Sequence, residues 1–123
     1  MTTVTPYLSV HDGSAALAFY VAAFGATVVE RFDDGDRLAH ATLAVDSATF
    51  HVSDEYQDLG AYSPSTLGHA TSATVLGVED PDRTFAAAVG AGATATRPVA
   101  DDPGGRSGWL VDPFGHRWNI RRA

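Results

Sequence analysis

The chain has 123 residues, one domain's worth, and its 45% hydrophobic and 19% charged content is that of a globular protein. It has no cysteine and all of its basic residues are arginine, which excludes thiol nucleophiles, disulfides, thiolate metal sites and a Schiff-base lysine. The net charge of −7 opposes nucleic-acid binding, which needs a basic patch to neutralise phosphates, and favours a cationic ligand by long-range steering.

The opening MTTVTPYLSV lacks the basic start and apolar core of a signal peptide, and no apolar run is long enough to span a membrane. The expectation is a cytoplasmic protein without a membrane or nucleic-acid partner. Residues 3–10 alternate like a strand, with Leu8 and Val10 on one side and Thr5, Tyr7 and Ser9 on the other. Asp12 is placed as an N-cap, and Leu17, Tyr20, Val21 and Phe24 follow as one helical apolar stripe that Gly25 ends. Residues 26–32 read as a strand and 33–36 as a turn. Residues 37–45 and 49–53 then form a hairpin around Asp46-Ser47-Ala48.

Polar residues 54–69 have no clear periodicity and read as a linker. Then the pattern restarts. Ser72–Val78 is a strand, Asp80-Pro81 a cap with proline in the first helical position, and Phe85, Ala88 and Val89 a stripe closed by Gly92. Residues 93–99 are a short strand whose Pro98 suits an edge, and Asp101-Asp102-Pro103-Gly104-Gly105-Arg106 is a loop. The last stretch, WLVDPFGHRWNI (109–120), is a hairpin. Pro113 and Gly115 shape its turn, and Trp118 and Ile120 alternate with Arg117, Asn119 and Arg121.

Aligned by their landmarks, the two halves agree in cap, stripe, stop and final strand. Val10, Asp12, Leu17, Val21 and Ala23 recur as Val78, Asp80, Phe85, Val89 and Ala91; Gly25-Ala26-Thr27 recurs as Gly92-Ala93-Thr94, and Phe50-His51 as Trp118-Asn119. The reading is an α+β fold of two βαβββ modules, 1–53 and 71–123, joined by a linker at 54–70. The modules form a curved mixed sheet around a cavity, with the helices on the outer faces. Leu8, Val10, Phe50, Val52, Leu76, Val78, Trp118 and Ile120 belong under the helices. Thr5, Tyr7, Ser9, His51, Ala73, Val75 and Asn119 belong to the cavity side. For the third strand of each module two alternatives stand: either His40 and Arg106 face inward, or Trp109 and Leu43 do.

The duplicated module, together with TPYLSVHDGSAALAFYVAAFGA, LAHATLAV, FHVSDE and RSGWLVDPFGHRWNI, resembles the glyoxalase / bleomycin resistance / extradiol dioxygenase (vicinal oxygen chelate) superfamily, and within it the PhnB-like branch. The resemblance covers nearly the whole chain. It implies a homodimer, and it implies metal ligands at four positions that in this sequence are Thr5, His51, Ala73 and Asn119. Of these only His51 is a good transition-metal ligand, Asn119 is a weak neutral donor and Ala73 has no donor, so no metal or other cofactor is expected. Relatives commonly carry an aromatic residue in the loop where this chain has Pro103.

The remaining histidines, His11, His69 and His116, read as surface or supporting residues, and no serine lies in a G-x-S-x-G elbow. The function expected is binding of a small organic ligand, aromatic or cationic, with an antibiotic among the candidates. Tyr7, His40, His51, Arg106, Trp109 and Asn119 are the candidate binding residues. The alternative is a lyase or isomerase in which His51 acts as acid/base or holds a weak divalent metal.

Overall fold

Alternating apolar residues start the chain's regular structure at β1 (Tyr7–Val10), and the computed structural model describes residues 1–123. Module one continues with α1 (Gly13–Phe24), β2 (Thr27–Asp34), β3 (Arg37–Val45) and β4 (Ala48–Asp54). After a single 3-10 turn and the short α2 (Pro64–Leu67), module two repeats the order as β5 (Ala73–Val78), α3 (Pro81–Gly90), β6 (Thr94–Asp102), β7 (Gly105–Val111) and β8 (Arg117–Arg122). Each module makes its own four-stranded mixed sheet, β1-β4-β3-β2 and β5-β8-β7-β6, with no ladder joining the two. No helix is long and apolar enough to cross a membrane.

The caps behave as the sequence predicts. Ala15 N–H donates to the Asp12 carboxylate at 3.1 Å, Arg83 N–H to that of Asp80 at 3.2 Å, and Gly25 takes the left-handed conformation (φ 68°) that ends α1. Several edges differ. The first strand begins at Tyr7 rather than Thr3, although the Pro6 carbonyl still accepts from His51 N–H at 2.9 Å. Strand β6 runs on to Asp102, so the expected loop shrinks to a turn at Pro103-Gly104. Pro98 is tolerated because β6 is an edge strand and is bulged there. The stripes are also wider and rotated: Val21 and Val89 are exposed, while Phe19 and Ala16 are buried.

That rotation has a cause. One core of 22 residues serves both modules, because α1 packs on its own sheet, on α3 and on the closing hairpin of module two. Phe24 meets Trp118 at 4.8 Å between ring centroids, Tyr20 meets Phe50 at 5.2 Å, and Phe19 meets Phe114 at 6.1 Å. At the centre lies Asp112, buried, the first residue of the closing turn. Its Oδ2 accepts from Tyr20 Oη at 2.5 Å and from Trp118 Nε1 at 2.9 Å; its Oδ1 accepts from the N–H groups of Phe114 and His116, both at 2.9 Å. His116 adds a second tie, its Nε2–H donating to the Ser9 carbonyl at 2.8 Å. The turn is therefore a clasp between modules.

With its helix covering one face, each sheet leaves the other face open. These open faces carry the residues of interest.

Candidate functional site

On the open face of module one, ladder register aligns Tyr7 with His51, His51 with Thr42, Thr42 with Glu30, and His40 with Phe32. Directly opposed residues share a face, so these six side chains form one patch. Tyr7 Oη lies 2.8 Å from His40 Nδ1. Thr42 Oγ1 is the hub: it lies 3.2 Å from His40 Nε2, 3.0 Å from His51 Nδ1 and 3.2 Å from Glu30 Oε2. His40 Nε2 is itself 3.5 Å from Glu30 Oε2. The rings also touch, with His40 and His51 centroids 4.9 Å apart and Tyr7 and His51 5.2 Å apart. Beside Tyr7 the face continues into a hollow of about 400 Å³ lined by Ser9, Ala39, Ser53, Tyr56, Leu59 and Ala61.

Two bulges make this patch possible. Val28 pairs with Leu43 but Glu30 pairs with Thr42, so β2 carries one extra residue at Val29. Without it Glu30 would oppose Ala41 and point under the helix; with it the carboxylate turns to the open face. The register shifts again at Ala39, the extra residue on β3, which lets Leu38 return to the core while His40 stays outside.

Module two repeats the device with different chemistry. Leu43 and Thr42 correspond to Leu110 and Trp109, since the former pair opposes Phe50 and His51 and the latter opposes Trp118 and Asn119. A shift between Ala95 and Arg97 matches the one at Val29 and sets Arg97 opposite Trp109. Where module one has Glu30, Thr42 and His51, module two therefore has Arg97, Trp109 and Asn119. Arg117 lies over the Trp109 ring at 4.9 Å. Asn119 is buried and donates from Nδ2 to the Gly108 carbonyl at 3.2 Å.

The two alternatives for the third strands both give way to a mixed answer. His40 and Trp109 lie on open faces; Leu43 and Arg106 lie on the helix sides. The closing turn of module two is one residue longer than its counterpart, since Ala44 pairs with Thr49 but Val111 with Arg117, and this offsets the correspondence between β3 and β7. Arg106 is thus absent from the candidate surface. Its guanidinium reaches α3, donating to both Asp82 oxygens at 2.8 Å, with Asp101 at 3.2 Å. The hydrogen bonds from Arg106 hold the Asp82 carboxyl below its usual range.

The candidate residues therefore divide into Tyr7, His40 and His51 on one sheet and Trp109 and Asn119 on the other. Sequence reasoning missed Glu30, Phe32 and Thr42. Their only sequence signal is a strand of mixed polarity, and the bulge that aims Glu30 has no signature in one sequence. His11 and His69 take no part: His11 lies 3.1 Å from Ser65 Oγ and against Phe114, and His69 is exposed.

The four metal-ligand positions do not fit a metal. Ala73 offers no donor atom, and the Asn119 amide donates its Nδ2–H to Gly108 and leaves only a weak neutral oxygen. His51, whose Nδ1 meets Thr42, brings a single imidazole nitrogen, so there are too few strong donors for a divalent metal. Elsewhere no group of three or more histidine or acidic side chains is disposed to hold an ion.

A family model described as the Glyoxalase/Bleomycin resistance protein/Dioxygenase superfamily matches residues 3–120. An uncharacterised protein of Mycobacterium bovis is 34% identical over 122 residues, covering 95% of this chain and 80% of that protein. A gene product from Arabidopsis thaliana has the same fold, with a TM-score of 0.79 and 26% identity over 99% of each chain. So does the bleomycin-binding protein of Streptomyces verticillus, solved with copper(II)-bleomycin, with a TM-score of 0.69 and 21% identity over 100% of this chain and 97% of that one.

Proposed function

Because this chain belongs to the Glyoxalase/Bleomycin resistance protein/Dioxygenase superfamily, we propose that it is a metal-free, PhnB-like member that binds a small aromatic or cationic molecule. The observation that carries this reading is the patch on module one. Tyr7, His40, His51 and Phe32 supply flat aromatic surface that borders the hollow at Tyr7, and Glu30 supplies a negative charge beside His40. Drug-sized guests are within the reach of this fold, as the copper(II)-bleomycin complex of the Streptomyces verticillus protein illustrates. The donor set at the metal positions supports the metal-free part of the proposal.

Calorimetric titration with a panel of aromatic amines, phenols and aromatic natural products tests it. Binding that weakens at least about ten-fold in Tyr7→Ala and His51→Ala, and is unaffected by exhaustive chelation, is the expected result. No saturable binding anywhere on the panel would end the proposal.

One observation favours a second reading, a lyase or isomerase: the chain from Tyr7 Oη through His40 to Thr42 and His51 joins two acid/base side chains by hydrogen bonds. Under this reading His51→Ala abolishes turnover but leaves binding of the unreacted ligand intact.

A further inference from the structure

Thr42 sits where three groups compete for one hydroxyl, and that competition fixes the protons of the whole patch. A threonine hydroxyl has one proton to give and two lone pairs with which to accept. A carboxylate can only accept, so the contact at 3.2 Å between Thr42 Oγ1 and Glu30 Oε2 takes the Thr42 proton. The contacts to His40 Nε2 and His51 Nδ1 must then be filled from the other side, by an N–H on each of those nitrogens. A neutral imidazole carries only one N–H. His40 Nδ1 is therefore a lone pair, and Tyr7 Oη, 2.8 Å away, donates to it. His51 Nε2 is also a lone pair, and no group of the chain bonds it. With neutral rings, this is the only assignment that satisfies all four contacts.

We infer that Thr42 is the positioning residue of this face, and that the face offers its ligand acceptors: His51 Nε2 and the outward lone pairs of Tyr7 Oη. The ligand must then bring the protons. An aromatic ring bearing an O–H or N–H donor fits; an aromatic carboxylate, which can only accept, does not. The inference rests on the binding reading above for its ligand class, whereas the proton positions are a property of the free protein.

Two measurements test it. Long-range proton–nitrogen correlation spectra of the histidine side chains in the full chain at neutral pH should find His51 protonated at Nδ1 and His40 at Nε2. Thr42→Val should release His51 from that tautomer, and Thr42→Ser should restore it. A His51 ring protonated at Nε2 in the unmodified protein overturns the assignment, as does a Thr42→Val spectrum identical to wild type.

In the second measurement, naphthol, its methyl ether, naphthylmethylamine and naphthoate are titrated against wild type and Thr42→Val. Naphthol and the amine should bind about ten-fold or more tighter than the ether, an advantage lost in Thr42→Val, and naphthoate should bind worst. Naphthoate binding as well as naphthol overturns the acceptor face. If no probe binds while the tautomers are as assigned, the aromatic-ligand reading falls and the proton assignment is upheld.

Discussion

A carboxylate that is only 3% exposed must find donors inside the protein, and Asp112 finds four. Three lie within its own hairpin. The fourth, Tyr20, comes from the other module and is the one that reports on their docking. A hydrogen bond to a charged group contributes about 1.5–3 kcal/mol, so Tyr20→Phe should lower stability by about 2 kcal/mol in urea unfolding. Burial, and then the Asp112 charge, push the Tyr20 phenol above its ordinary value of 10.0. Its stabilising contribution is thus complete below pH 10.0 and is lost as pH rises from there toward the raised folded value. Wild type should lose stability over that alkaline window, and Tyr20→Phe should lose less. The turn itself was legible in the letters DPFG. The clasp was not, because the partner that defines it stands 92 residues away.

Among elements, strands and helices followed from periodicity and caps, and the faces of β1, β4, β5 and β8 followed from strict alternation. Strands β2, β3 and β6 resisted because bulges break that alternation: Leu38, Ala41 and Leu43 are all buried although no period of two contains them. This is why His40 could not be assigned a face and why Glu30 and Thr42 escaped notice. Trp109 escaped assignment because the longer closing turn of module two offsets β7 by one residue from β3.

The segment after β4 differs in another way. It reads as a linker, yet Glu55 organises it, its carboxylate accepting from Thr66 Oγ1 at 2.8 Å, Ser63 Oγ at 3.0 Å and Ser63 N–H at 3.3 Å. The Thr66 hydroxyl first, with Ser63 and Gln57 assisting, holds the Glu55 carboxyl below its ordinary value of 4.5. A lowered folded value means a contribution present above pH 4.5 and lost as pH falls through the folded value. Thermal unfolding followed through the acid range should therefore show a shallower decline in Glu55→Gln. The difference should be small, because the group is near the surface and screened.

Taken as a whole, the molecule buries one face of each sheet and leaves the other bare. Tyr7 and Phe32 on module one and Val75 on module two are each more than half exposed. Apolar patches of this kind mark surfaces that meet something. We propose that a second copy of the chain faces them and completes the cavity in which the ligand of module one sits, as the family resemblance implies. Sedimentation equilibrium should then return twice 12.9 kDa at micromolar concentration, and Phe32→Glu should shift the balance toward monomer. A 12.9 kDa species persisting at high concentration would remove this proposal.

The bulge common to the two modules bears on how such copies would meet. It lifts one side chain of each module to the same place on its open face, and the two side chains carry opposite charge: Glu30 and Arg97. Two copies docking like face on like face would set carboxylate against carboxylate, or guanidinium against guanidinium. Crossed docking, module one on the partner's module two, would instead bring Glu30 toward Arg97, which has Asp102 3.9 Å away in its own chain, and it obeys a two-fold axis. One inserted residue, present in each half, thus acts as a polarity mark: it adds a difference of charge to the side-chain differences that already distinguish the two open faces of a duplicated molecule.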